Sequence, residues 1–270
     1  MTTPVGALLP VALDAVTIAA DLIRSRAPGL LTAKGDRDMA TDLDYAVERA
    51  VRAYLLDRAP AVPILGEEEG VTGDGGGDLL WALDPIDGTA NFVHGLPLCG
   101  VSLGLLHRGR AVLGVIDLPF LGTRYSAAEH AGAHVGERRI TASATSALHD
   151  AIVAIGDYAV GSDSEEKNRL RLALTAALAA EVQRVRMLGS SAIDLAWVAE
   201  GRLDVSVSMS NKPWDTAAGV VIAREAGATV VDHDGSEHTA ASTATIAAAP
   251  GVAEQINALI ARTRRDLAPI

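Results

Sequence analysis

Two aspartates three residues apart, Asp84 and Asp87, close the aliphatic run Leu79-Leu80-Trp81-Ala82-Leu83 and are followed at once by Gly88-Thr89. Such a run reads as a buried strand. Burying one unpaired carboxylate is costly, and burying two close together is worse. A type I turn with Pro85 at its second position accounts for Asp84 but not for the pair. Three further acidic groups accompany them. Asp38-Met-Ala-Thr41-Asp-Leu-Asp44 opens a predicted helix, where Thr and acids suit capping and the helix dipole. Gly66-Glu67-Glu68-Glu69-Gly70 follows a short strand and, read alone, is a solvated acidic loop. Asp215, in Trp214-Asp215-Thr216, is by itself a suitable N-cap for a helix over Thr216–Ala226 that Gly227 terminates.

Taken together, the four groups share a position: each lies at the end of a strand or the start of a helix. Such places converge on one edge of an α/β layer, where ligands bind. Oxygen donors without an accompanying Cys or His pair point to Mg²⁺ or Mn²⁺ rather than zinc. Mg²⁺ takes one or two carboxylates per ion and leaves its other positions to water and phosphate, so these acids suffice for two or three ions. A short helix starting at Gly88-Thr89 and ending near Gly95 would aim its first N–H groups at an anion. Cations beside a helix N-terminus make a phosphate site.

The elements that must hold these residues follow from periodicity. Leu8, Val11, Ala12, Ala15, Ile18, Ala19 and Leu22 predict a helix over residues 5–26, with Pro10 in its first turn. A polar loop from Lys34 to Asp38 precedes a second helix over residues 42–57, which Pro60 ends. Pro63 marks the next segment, Ala61–Leu65, as an edge strand. Further strands are predicted at Leu79–Leu83, Gly100–Leu106, Ala111–Asp117, Thr123–Ala127 and His134–Ile140, with hairpin turns at Arg108-Gly109-Arg110 and Gly136. From about Leu148, strands and helices alternate to the end, which indicates an α/β layer. The Ser/Thr/Ala-rich stretch Thr141–Ala147 divides the chain into residues 1–145, with most of the acids, and 146–270, with Asp215.

The chain has 270 residues, 49% of them hydrophobic but only 3% aromatic, so its core must be built from Ala, Val, Leu and Ile. A formal charge of −11 argues against nucleic acid as a partner, which needs a positive face. The single cysteine, Cys99, excludes an internal disulfide and lies in an apolar run where an inert thiol is expected. Asp14 and Asp21 interrupt the N-terminal apolar stretch, so neither a signal peptide nor a spanning helix is read there, and a cytoplasmic protein without a membrane partner is expected. His130 and His134 are four apart, a zinc-like spacing, but Gly132 between them indicates a hairpin instead. His94 reads as a helix-end residue.

Trp81-Ala-Leu-Asp84-Pro-Ile-Asp87-Gly-Thr89-Ala-Asn91-Phe and Trp214-Asp215-Thr-Ala-Ala-Gly219, continuing to Glu225-Ala-Gly227-Ala, resemble the two signature motifs of the inositol monophosphatase family of Mg²⁺-dependent, lithium-sensitive sugar phosphatases. Gly66-Glu67-Glu68 and Asp38–Asp44 fall where that family has its Glu-Glu pair and its upstream Asp, and the resemblance runs over roughly residues 8 to 260. It implies an α/β (α+β by some schemes) fold, a layered α-β-α-β-α sandwich of two subdomains with the metal site between them. It implies two or three Mg²⁺ ions, with Mn²⁺ as a substitute, on Glu67, Asp84, Asp87, Asp215 and the backbone carbonyl of Ile86. It makes Thr89 and Asp44 the pair that takes a proton from the attacking water, with Glu67 and Glu68 assisting, and it has the Gly88 and Thr89 amides hold phosphate. Lys34 falls in a loop that covers the metals in such enzymes. Homodimers are common in the family, and one is expected here.

For the substrate, the resemblance assigns Asp87, Gly189, Ser190, Ser191 and Ser208 to the sugar hydroxyls. Ser208 departs from the inositol-specific members, some of which have a glutamate there. The implied substrate is a small phosphorylated polyol, inositol 1-phosphate first. Histidinol phosphate, fructose 1,6-bisphosphate and 3′-phosphoadenosine 5′-phosphate are alternatives within the family. A purely regulatory role would go with lost ligands, and Glu67, Asp84, Asp87, Asp215, Thr89 and Asp44 are all present.

Overall fold

A 3-10 turn at Val5–Leu8 leads into α1 (Leu9–Ser25), with Pro10 in the first turn, where its missing N–H costs nothing. The chain continues through β1 (Leu31–Gly35), β2 (Asp38–Thr41), α2 (Asp42–Arg58), β3 (Ile64–Gly66), β4 (Gly70–Thr72), β5 (Leu79–Asp87) and α3 (Thr89–Val93). Then come β6 (Gly100–His107), β7 (Arg110–Leu118), β8 (Thr123–Ala128), β9 (Gly132–Val135) and β10 (Arg138–Ile140). The second half comprises β11 (Ile152–Ile155), α4 (Ser164–Glu181), β12 (Arg184–Arg186), α5 (Ser191–Glu200), β13 (Val205–Ser208), α6 (Pro213–Glu225), β14 (Thr229–Val231), β15 (Thr245–Ala248) and α7 (Ala253–Leu267). This computed structural model describes residues 5–27, 29–35, 38–73 and 77–267, with the backbone alone at 34, 35, 38 and 39.

Eight strands form one mixed sheet in the order β10-β9-β8-β7-β6-β5-β3-β4, antiparallel throughout except for the β3–β5 pair. β3 is therefore interior, not the edge strand that Pro63 suggested. Pro63 precedes the strand, where its carbonyl accepts from the Trp81 amide, and β4 takes the edge. Of the predicted polar loop at Lys34–Asp38, Lys34 and Gly35 end β1 and Asp38 begins β2, which pairs antiparallel with it. Asp36 and Arg37 lie outside the described residues, as does the Lys34 side chain.

Five strands form a second sheet, β12-β11-β13-β15-β14. Alternation along these strands separates two cores. Val153, Ile155, Val205 and Val207 face α4 and α7, while Ala154 and Ala247 face α5 and α6. On the far side of α5 and α6 lies the first sheet, whose other face is covered by α1 and α2. The result is an α-β-α-β-α sandwich. The segment Val5–Ser25 is long and apolar enough to cross a membrane by length and composition. Here its residues Ala12, Ala15, Val16 and Ala19 are buried in the core shared with α2 and the sheet.

α6 fits closely between the layers. A Cβ at Gly114 on β7 would meet the Ala218 backbone at 2.5 to 2.6 Å, and one at Gly104 on β6 would meet Ala217 and Ala218 at 2.6 to 2.9 Å. Glycine at these positions lets the helix seat directly on the sheet, and the Ser102 hydroxyl donates to the Trp214 carbonyl at 3.1 Å. Asp215 is thereby fixed relative to β5 and β6.

Candidate active site

β3 runs parallel to β5 with Gly66 opposite Leu83, and the Glu67 amide donates to the Leu83 carbonyl at 3.1 Å. That register brings Glu67, just past the end of β3, beside Asp84. Residues three apart on a regular strand point to opposite faces. Between Asp84 and Asp87, however, three steps on β5 oppose two on β6, from Ser102 to Gly100. This bulge resets the alternation, so the strand runs on through Asp87, close enough for its charge to act on Asp84. It replaces the turn expected at Pro85. The Asp84 Oδ1 accepts from the Ile86 amide at 3.0 Å inside the bulge.

α6 begins at Pro213 with Lys212 at its N-cap, so Asp215 sits in the first turn rather than capping the helix. One carboxylate oxygen each from Glu67, Asp84 and Asp215 lies within 4.8 Å of the others. Asp87 is held next to this cluster: its Oδ2 accepts from the Ser190 hydroxyl at 2.5 Å and from the Ala192 amide at 2.6 Å, at the start of α5. Ser190 also caps α5 by accepting from the Ile193 amide at 3.2 Å.

Thr41 and Asp44 form a capping box at the start of α2, where Asp44 Oδ2 accepts from the Thr41 amide at 2.8 Å. The other oxygen of Asp44 accepts from the Thr89 hydroxyl at 3.2 Å, and that hydroxyl also lies 2.9 Å from the Ile86 carbonyl. Asp44 is thus both a cap and a partner of Thr89. Gly88, in the left-handed conformation, turns the chain from β5 into α3, and His94 caps its C-terminus as expected.

Burial, then the charges of Glu67, Asp87 and Asp215, push the Asp84 carboxyl well above the usual carboxylate range. Burial pushes Asp87 up to about 6 against the opposing hydrogen bonds from Ser190 and Ala192. Mutually repelling acids of this kind, with hard oxygen donors, suit a divalent cation. Burial likewise pushes the nearby Cys99 thiol up to about 12, in keeping with an inert thiol.

An open cleft of about 1050 Å³ adjoins the cluster, reaching it at Asp87 and Asp215 and lined by Gly189, Ser190, Ser191 and Ser208 among others. Asp157 and Asp194, to which sequence reasoning gave no role, also line it. Asp194 is 4% exposed, and its Oδ1 has no hydrogen-bond partner among the described residues. Glu48 was missed as well. It is fully buried behind the Glu67–Glu69 turn, but an acid on a helix four residues before Arg52 looks like an ordinary surface pair. His130 and His134 belong to the β8–β9 turn and β9, where the His130 amide donates to Glu225.

Clustered acids at the strand and helix ends of an α/β sandwich, beside an open cleft lined in part by hydroxyl and charged side chains, mark a metal-dependent hydrolase. Residues 6–268 match the model of the inositol monophosphatase family, and the chain belongs to that family of phosphatases. It is 39% identical over 246 residues to the probable inositol 1-monophosphatase ImpA of Mycobacterium tuberculosis, covering 90% of this chain and 89% of the relative. It is 36% identical over 210 residues to the fructose-1,6-bisphosphatase/inositol-1-monophosphatase of Thermotoga maritima, covering 77% of each. Among solved structures, the extragenic suppressor protein SuhB of Bartonella henselae superposes with a TM-score of 0.87 at 29% identity, over 94% of this chain and 98% of that one.

Proposed function

We propose that the protein hydrolyses inositol 1-phosphate to inositol and phosphate, with Mg²⁺ as its cofactor. The observation that carries this reading is the convergence of Glu67, Asp84 and Asp215 within 4.8 Å at the end of a cleft lined by serines. Glu67, Asp84, Asp87, Asp215 and the Ile86 carbonyl would hold the ions. Bound there, Mg²⁺ supplies Lewis-acid polarisation of the phosphate and acidifies water.

The chain's own residues do the rest. Thr89 Oγ1, hydrogen-bonded to Asp44 Oδ1 at 3.2 Å, takes the proton of the attacking water as its own proton passes to Asp44. Glu67 and Glu68 orient the water. The Gly88 and Thr89 amides hold phosphate oxygens, and Asp87, Gly189, Ser190, Ser191 and Ser208 receive the polyol. No side chain attacks phosphorus, so no phospho-enzyme should be trapped during turnover.

Two features favour a second reading of the substrate. Ser208 is short and neutral where some inositol-specific members have glutamate, and the Thermotoga relative carries a double name. Phosphate release from inositol 1-phosphate, histidinol phosphate and fructose 1,6-bisphosphate, side by side with and without Mg²⁺, decides between them. Preference for the inositol ester supports the proposal. Preference for another ester keeps the site roles and replaces the substrate.

A further inference from the structure

Glu48 and Arg52 form an ion pair under the turn that carries Glu67 and Glu68, with Arg52 Nη2 2.8 Å from Glu48 Oε1 and side-chain exposures of 0% and 6%. The Glu48 carboxylate accepts from two successive backbone amides of that turn, Glu68 and Glu69, at 2.9 Å each and through different oxygens. Arg52 donates to Thr72 Oγ1 at 2.6 Å and to the Gly70 carbonyl, fastening the far side of the same turn. Gly66 makes room for this: a Cβ there would run into both side chains of the pair.

A buried ion pair is a weak stability device, since well-packed apolar residues of like volume often do as well or better. A carboxylate offers acceptors only, on two oxygens, so it can serve two neighbouring N–H groups at once. Glutamine has a single carbonyl oxygen and must turn its own donors toward one of them. We propose that Glu48 is a positioning residue, clamping the β3–β4 turn from α2 so that Glu67 meets Asp84 and Asp215 in cation-binding geometry. The proposal rests on Glu67 being a cation ligand.

The test uses the intact protein in four forms: wild type, Glu48→Gln, Glu48→Gln/Arg52→Met, and Arg49→Ala, which removes the surface pair with Glu69 and a cation–π contact with Tyr45 but leaves the buried pair intact. Amide hydrogen exchange at Glu68 and Glu69 is read without metal, and Mg²⁺ affinity by calorimetry. Glu48→Gln should lose protection at one or both amides and bind Mg²⁺ about 10-fold or more weakly, the usual loss when the support of a metal ligand is removed. The double variant leaves no buried charge unpaired. It should regain melting temperature relative to Glu48→Gln but not Mg²⁺ affinity, while Arg49→Ala should match wild type.

Unchanged amide protection in Glu48→Gln, or Mg²⁺ affinity within about twofold of wild type against the expected loss, would overturn the proposal. So would a double variant that regains affinity along with stability. Absence of Mg²⁺ binding by wild type itself would refute the cation reading of Glu67, and with it the positioning role. That outcome is distinct from normal wild-type binding that the substitution leaves untouched.

Discussion

Without metal, Asp84 and Asp87 hold protons more tightly than ordinary aspartates, Asp87 up to about 6 and Asp84 in the same direction, chiefly through burial. An acid whose folded pKa exceeds its unfolded value near 3.8 favours the folded state at low pH. That contribution is complete below about pH 4 and is lost as pH rises through about 6. A divalent cation competes with those protons, so its stabilisation grows as they leave. The melting-temperature gain from excess MgCl₂ should therefore be larger at about pH 8 than at about pH 5, and an equal gain at both would contradict the ligand assignment. Asp87→Asn keeps the shape but loses the charge. It should lower Mg²⁺-dependent phosphate release at least about 10²-fold, by analogy with the loss of one electrostatic stabiliser. The acids themselves were plain in the sequence, because each sits within a few residues of its own strand end or helix start. Glu48 was not, because nothing local tells a buried acid on a helix from a solvated one.

At the scale of elements, the site depends on α6 lying directly on the first sheet. A side chain at Gly114 must displace the Ala218 backbone. Gly114→Val should lower stability by about 1–3 kcal/mol and weaken Mg²⁺ binding by moving Asp215. A denaturant melt paired with a metal titration checks both, and a fully stable variant with normal affinity would show that the close approach is unimportant. The sequence revealed most strands and helices to within a few residues, because their periodicity is local. It did not reveal that β3 is interior, since the parallel β3–β5 pairing joins segments that only the tertiary fold brings side by side. Nor did it reveal the bulge at Asp84–Asp87, which depends on the register of β6, or that α6 starts at Pro213.

Across the whole molecule, the cluster draws on distant parts of the chain. Glu67 and Asp84 come from the first sheet, Asp215 from the helical layer beneath it, and Asp87 is tied to the start of α5. Folding of both halves is thus a condition for the site, and a cation bound there should stabilise the chain as one unit. The central claim is that these carboxylates hold the cation on which phosphate release depends. Its most direct test is the rate of phosphate release from inositol 1-phosphate across a Mg²⁺ titration, for wild type and Asp84→Asn. The prediction is a saturable dependence on Mg²⁺ in wild type and a loss of at least about 10²-fold in the variant. Release that persists in the presence of a chelator, or that survives the substitution, would contradict it.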